Sequence, residues 1–567
     1  MALSRYVVPL VLACALLPAC GFAGESQKVV VKGKRDPSTI VIKGVRDPSD
    51  WLRVESPHFV VLSDDEPDQA ADLADNLERL DYMLRLYLKP FMDTEAPDPK
   101  FTVVFQRRLN WPAEIGVHHP FAVARLKSCG AGAQAFTFDG GRMWKLDNAT
   151  ALHNERDFTL MWNLYFYAEA FLYRHTRVRG PRWFLTGVAA YFGGVRFTDT
   201  QMVVGRAAGT SYDLLQAIDD GRAKSLSYDD VLHIGAPSGP GADIVGTPAY
   251  YDAWEYLGRA YNLMHFMLSS EENRNKMASY LEQVNGGADP AAAFAGVFGL
   301  SGRALDVAMW RYRRSDMKII QVEVPGLPTP HLDFTRLSRL EGQFVLDNAV
   351  LKTCPAPEDG KKLLARLKVN AAQASAVDFA QVTLSRAEVD WGNPRDAIGY
   401  LSQAVQRDPY NPETRYLLGL AYLHLAENGG GDQVAMLAAA RDSLTEAAIL
   451  APEAPEVSYA LFRTGILGAD PTDKDVKRAV DAWAHGHEVA PFARAGALAY
   501  AWLGDAAGAY RVFTTLARNT QELENARWAE AWLARLEKGV PRDELLAAMR
   551  KEKPASAGLQ GWGISYR

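Results

Sequence analysis

After its first residues this 567-residue chain has no apolar run long enough to cross a bilayer, so no internal transmembrane helix is expected. It concentrates charge of neither sign: 62 Lys and Arg stand against 68 Asp and Glu, a formal net charge of −6 with no long basic or acidic run. Nucleic-acid binding, which needs a concentrated basic face, is therefore not expected. The chain also lacks a Gly-x-Ser-x-Gly elbow and a phosphate loop, the signatures of two large enzyme classes. Cysteine is scarce, at four residues.

What is present is an ordinary globular composition, with 13 Trp and 23 Tyr to fill cores, over a length suited to two to four domains. The start, "MALSRYVVPLVLACALLPACGFAGES", has one positive charge at Arg5, then a short apolar run and small residues, the pattern of a signal peptide. Two endings fit. Gly21-Phe22-Ala23 suits ordinary cleavage, giving a leader of residues 1–23. Leu17-Pro18-Ala19-Cys20 is similar to a lipobox, which would leave Cys20 lipidated. Either places the protein in the periplasm or cell envelope, with the membrane reached only through such an N-terminal lipid. Two cysteines then remain in the body, Cys129 and Cys354. In an oxidising compartment they form a disulfide or stay as two buried thiols, and the sequence leaves both open.

Residues 24–50 carry a duplication: "KGKRDPS" at 32–38 returns as "KGVRDPS" at 43–49. Asp-Pro-Ser is turn chemistry, so this reads as an extended arm or hairpin, with a basic tether to an anionic surface as the alternative. From Trp51, "HFVVLSD" and "FTVVF" are strand-like, and Leu73, Leu77, Leu80 and Leu84 recur at helical spacing behind "SDDEP", which offers caps. After about residue 150 the pattern turns helical, and Phe158 to Tyr173 is apolar nearly all round, which predicts a buried helix. Residues 319–370 read as a connecting segment.

Past residue 371 a frame repeats. Ala397, Leu401, Ala404 and Pro409 return as Ala440, Leu444, Ala447 and Pro452, then as Ala479, Trp483, Gly486 and Pro491. A fourth copy keeps Gly504, Ala509, Phe513 and Leu516 without the proline, and Leu418-Gly419-Leu420-Ala421-Tyr422 supplies a preceding helix. The frame resembles the tetratricopeptide repeat (TPR): small residues admit a close helix partner, a large one fills the next layer, and proline ends the second helix. The array is expected over 371–555, with a tail at 556–567, and stacked helix pairs imply a protein or peptide partner.

Residues 51–318 resemble the peptidase-MA-like gluzincin family, through "WLRVESPHFVVLSDD", "PRWFLTGVAAYF", "YLGRAYNLMHFML" and "GGADPAAAFAGVFGL". The expected fold class is thus an α+β gluzincin-like domain followed by an all-α solenoid of repeats. Members of that family hold zinc with His-Glu-x-x-His on one helix and a glutamate on the next. The corresponding positions here are Tyr167, Ala168, Phe171 and Thr186. Between Phe158 and Arg182 the only histidine is His175 and the only acid is Glu169, so no register gives two ligands one turn apart. The side chains of tyrosine, phenylalanine and threonine do not replace imidazole and carboxylate on zinc. The resemblance therefore implies a lost site: no metal, no cofactor, no catalysis, and a plugged cleft in which Tyr167, Phe171 and Thr186 converge beside Trp183. The competing expectation is a hydrolase with relocated chemistry, built on Glu169, His175 or the His118-His119 pair. His485 and His487, two apart on one helix, cannot face one partner.

Overall fold

The computed structural model describes residues 27–28, 41–43, 47–92, 100–107, 124–129, 132–138, 155–176, 178, 180–198, 200–205, 226–233, 248–315, 317–324, 326–487, 489–517 and 523–552. Cys20, the first copy of the duplication and His118-His119 lie outside these residues.

The first domain is built on an eight-stranded sheet. Its strands are β1 (Gln27–Lys28), β2 (Val41–Lys43), β3 (Pro48–Glu55), β4 (Phe59–Ser63), β5 (Phe101–Gln106), β6 (Ala124–Cys129), β7 (Gly132–Phe138) and, from far along the chain, β11 (Asp333–Ser338). The order is β1-β2-β11-β3-β4-β5-β7-β6, with β4, β5 and β7 parallel at the centre. Parallel neighbours need a crossover, and α1 (Pro67–Tyr87) supplies it between β4 and β5. The leucine stripe of α1 is buried as its spacing predicts. Its start differs from expectation: Glu66 is the N-cap without a side-chain cap bond, and Pro67 opens the first turn. Asp64 and Asp65 instead accept from the backbone N–H of Arg107 and Glu66.

Strand alternation sorts the sheet's side chains to two cores. Phe59, Val61, Val103 and Ala135 meet α1 and α2 (Glu155–His175). Val104 and Phe136 meet the opposite layer, formed after the one-turn α9 (Arg339–Gly342) by α10 (Val345–Leu351), α11 (Pro357–Ala372) and α12 (Asp378–Trp391). This corrects the reading of 319–370 as a connector. β11 lies inside the sheet, between β2 and β3, and α10 with α11 seals the sheet's back.

The helical half of the domain runs through α3 (Arg182–Gly193), α4 (Tyr228–His233), α5 (Pro248–Leu268), α6 (Glu271–Asn285), α7 (Pro290–Phe298) and α8 (Gly302–Ser315). A three-stranded sheet of β8 (Arg196–Phe197), β9 (Gln201–Val204) and β10 (Ile320–Glu323) closes it. α3 is wedged between α2 and α5, and glycine makes the fit. A Cβ on Gly187 would sit 2.6 Å from the Ala260 carbonyl oxygen, and one on Gly193 would sit 3.1 Å from Tyr165 Cβ. No single helix among the described residues is long and apolar enough to cross a membrane.

The array is a series of helix pairs: α12 with α13 (Pro394–Arg407), α14 (Pro412–Glu427) with α15 (Gln433–Leu450), α16 (Pro455–Leu467) with α17 (Asp473–Gly486), and α18 (Ala490–Trp502) with α19 (Ala506–Ala517). α20 (Leu523–Leu536) and α21 (Arg542–Lys551) follow. The small residues of the repeating frame are buried at each pair, and Gly419 shows why. A Cβ there would lie 2.5 Å from Leu444 Cγ. Asn393, Asn411, Asp432 and Thr472 cap their helices through side-chain bonds. First helices α12, α14 and α16 pack on one another, with no comparable packing between second helices among the described residues. The array therefore curves with its first helices inside, as a TPR-like solenoid does.

Candidate functional site

Tyr167 and Phe171 stand four apart on α2, on the stripe that faces α1 and the sheet. Tyr167 packs its ring on Phe59 and Phe101, with centroids 4.6 and 5.5 Å away, and its hydroxyl donates to Asp81 Oδ1 at 2.5 Å. Asp81 also accepts from Arg85 Nε at 2.7 Å, and the Arg85 guanidinium lies 5.6 Å above the Phe171 ring. One turn earlier, Glu78 gathers Ser56 Oγ, the His58 amide and His58 Nδ1 at 2.6, 2.7 and 2.8 Å. The bond to Glu78 raises the His58 pKa against the opposing pull of burial, and the Asp81 charge adds to the rise.

These side chains surround a cavity of about 20 Å³ between His58, Arg85, Tyr167, Phe171 and His175. That is room for one water, not for a peptide. The polar set of His58, Glu78 and Asp81 was not singled out from sequence, although its signal was there. Glu78, Asp81 and Arg85 each follow a leucine of the α1 stripe by one residue, and so form a charged stripe of their own at three- and four-residue spacing, about 100° round the helix.

Of the four positions that the family resemblance singles out, the structure brings two together. Tyr167 and Phe171 border the cavity, their ring centroids 6.2 Å apart. Ala168 is fully buried and Thr186 nearly so, its hydroxyl without a hydrogen-bond partner, but neither borders the cavity. The expected convergence with Thr186 and Trp183 is thus not found, and helix geometry gives the reason. Gly193 meets Met161 and Tyr165 of α2, and Thr186 is two turns from Gly193 on the same face of α3. The α2 stripe toward α3 is Met161, Tyr165, Ala168 and Leu172, not the Tyr167–Phe171 stripe. Trp183 turns elsewhere, donating Nε1–H to Tyr280 at 3.1 Å and packing on Phe294. Among the described residues, no three His, Cys, Asp or Glu side chains are placed to hold one metal ion.

Of the groups offered for relocated chemistry, Glu169 and His175 do not meet, and His118-His119 lie outside the described residues. Glu169 faces Arg182 Nη1 at 2.8 Å and accepts from the Tyr173 hydroxyl at 2.8 Å, a satisfied buried acid. His175, six residues on and turned to another side, lies 3.5 Å from Glu453 Oε2 in the turn before α16. His485 Nδ1 is 2.8 Å from the Arg174 carbonyl, and the His487 ring stands edge-on to Tyr173 at 4.8 Å. These histidines are therefore docking residues: the inter-repeat turns of the array lie against the end of α2. Glu456 lies against Gly132 and Lys352 Nζ is 2.9 Å from Glu413 Oε1 along the same edge. Cys129, at the end of β6, and Cys354, after α10, are joined as a disulfide with Cα atoms 6.2 Å apart.

No family model matches the chain, and no curated protein matches it. Among solved structures, a thermophilic TPR protein of Thermus thermophilus is similar at 17% identity, over 35% of this chain and 96% of its own, with a TM-score of 0.27. So loose a superposition adds nothing to the helix pairing and buried frame described above. The array stands on its own geometry. Its outer face is built of second helices, and its turn edge is committed to the first domain.

Proposed function

We propose that the chain is an exported envelope protein without catalytic activity, in which a gluzincin-like domain that no longer binds zinc carries a repeat array that binds another protein or peptide. The array carries the reading: paired helices whose small-residue frame is buried at every layer curve around an inner face suited to an extended or helical partner. The first domain enters as a support. Aromatic rings of Tyr167 and Phe171, at the two histidine positions of the resemblance, leave a cavity of about 20 Å³ and, among the described residues, no ligand set. The test has two arms. Crosslinked capture from envelope extract should recover a specific partner with the whole chain and not with one lacking residues 394–552. Purified protein should hold no stoichiometric zinc; tightly bound zinc lost on changing Tyr167 or Thr186 would overturn the non-catalytic half of the reading.

A hydrolase with relocated chemistry is the second reading, and one observation favours it. His58, oriented by Glu78, faces a water-sized cavity beside Tyr167. Its decisive assay is hydrolysis of peptide and ester substrates that is abolished by His58→Ala and kept by Phe171→Leu.

A further inference from the structure

The last helix does not extend the solenoid. α20 packs on α19, where the first helix of another pair belongs, but α21 turns back and lies across α16 and α18 on the inner face. Its apolar stripe, Leu545 and Met549, is buried among Tyr459, Phe462 and Trp502. Two arginines of the groove hold its end. Arg494 of α18 donates Nη2–H to Glu552 Oε1 at 3.1 Å, with Nε 2.9 Å from Oε2. Arg463 of α16, itself held by Glu427 at 2.9 Å, donates to the carbonyls of Met549 and Glu552 at 3.1 and 3.3 Å. The Met549 carbonyl belongs to the last helical turn, where it also accepts from the Glu552 amide at 3.3 Å. The groove thus recognises large apolar residues at i and i+4, a carboxylate at i+7 and a helix C-terminus. Two arginines of α21 add to the hold: Arg550 donates to the Ile466 and Gly468 carbonyls at 2.6 and 2.9 Å, and Arg542 to the Trp502 carbonyl and Asp473 at 3.0 and 2.8 Å.

None of this is needed to build the array. α16 packs on α15 and α17, and α18 on α17 and α19, so the pairs hold the groove without α21. Without α21 the groove would present an apolar floor with two guanidinium groups at one end, which is a receptor for a helix of that description. We propose that this inner groove is the docking surface for an amphipathic helix of a partner protein, apolar at i and i+4 and acidic at i+7, and that α21 occupies it as an internal competitor. The inference rests on the reading of the array as a protein-binding module. α21 hangs from α20 by the short turn at residues 537–541. Such a tether gives an effective concentration on the order of millimolar, so a free helix of about 10 μM affinity would be suppressed on the order of 10²-fold.

The probe is a labelled peptide of residues 540–554, titrated into the full-length chain. Wild type should bind it weakly. The double variant Leu545→Asp with Met549→Asp should bind it on the order of 10²-fold more tightly, with unchanged helicity by circular dichroism. Adding Arg494→Glu should remove that gain, and a peptide carrying Glu552→Arg should restore it. The single variant Glu552→Arg, which leaves the apolar stripe intact, should give a smaller rise. Equal binding by wild type and released chains, or no binding by a released chain of native helicity, overturns the proposal. Loss of the array's helicity in both variants also overturns it, since α21 would then be a structural cap. A partner captured from extract by a chain that fails the peptide test would sink this inference alone. Failure to capture any partner would sink the functional reading beneath it.

Discussion

At the scale of single residues, the candidate site is an aromatic and ionic plug rather than an open cleft. Phe171 is fully buried between Tyr167, His175 and the Arg85 guanidinium, so Phe171→Ala should cost about 3–5 kcal/mol in urea unfolding. The proposed partner binding through the array should be unaffected; lost binding at unchanged stability would make the cavity between α1 and α2 the recognition site. Tyr167→Phe removes a donor from the buried Asp81 and should cost roughly 1–3 kcal/mol by the same measurement. His58 gives a pH test. Its pKa is raised on folding, so its contribution is full below the ordinary histidine value of about 6.5 and is lost as pH climbs through the raised value. The gap in Tm between wild type and His58→Gln should therefore be wide near pH 6 and close by about pH 9. It will be small, because the imidazole is half exposed. Tyr167 and Phe171 were legible in the sequence because four-residue spacing puts two rings on one helix face. Thr186 was misplaced because spacing within a helix does not say which stripe meets the next helix; Gly193 against Tyr165 decided that.

At the scale of elements, legibility followed the range of the interaction that forms each one. The repeats were readable because each pair is specified within a few tens of residues: a small residue on one helix, a large one on the next, a cap and a proline between. Gly419 is the sharpest case, and it makes a prediction against helix propensity. Replacing a helical glycine usually gains up to about 1 kcal/mol. Here a Cβ would lie 2.5 Å from Leu444 Cγ, so Gly419→Val should instead destabilise the array by roughly 1–3 kcal/mol, read from its chemical unfolding. A companion Leu444→Ala should recover part of the loss. The strands β10 and β11 were the opposite case. They fell in the segment read as a connector, because β11 pairs with β3, whose residues lie more than 270 positions earlier, and no local pattern reports such a partner. α21 was hidden differently, since a helix that folds back has the same local sequence as one that continues.

At the scale of the molecule, the two modules are less separate than the sequence suggested. The disulfide Cys129–Cys354 spans 225 residues and ties β6 to the layer behind the sheet. Cross-links of long loops restrict the unfolded chain most, so Cys354→Ser should lower stability by roughly 2–5 kcal/mol, seen as a fall in Tm that reductant reproduces in wild type and not in the variant. The boundary expected at residue 371 also falls inside a packed unit. Leu363, Leu364 and Leu367 of α11 and Ala380 and Ala387 of α12 share one buried cluster with Val104 and Phe136 of the sheet. The first repeat helix is thus also the last wall of the first domain. A chain ending at Asn370 would keep all but the last two residues of α11 and strip α12 from it, leaving a contiguous apolar face of the kind that drives association. A chain ending at Gly392 would keep that wall and lose α13 and the later pairs. The longer chain should therefore elute as a monomer and melt cooperatively, while the shorter should aggregate or melt well below it. Size-exclusion chromatography and thermal melts decide the matter. If both elute as monomers with the same Tm, α12 belongs to the array alone and the two modules are separable where the sequence divided them.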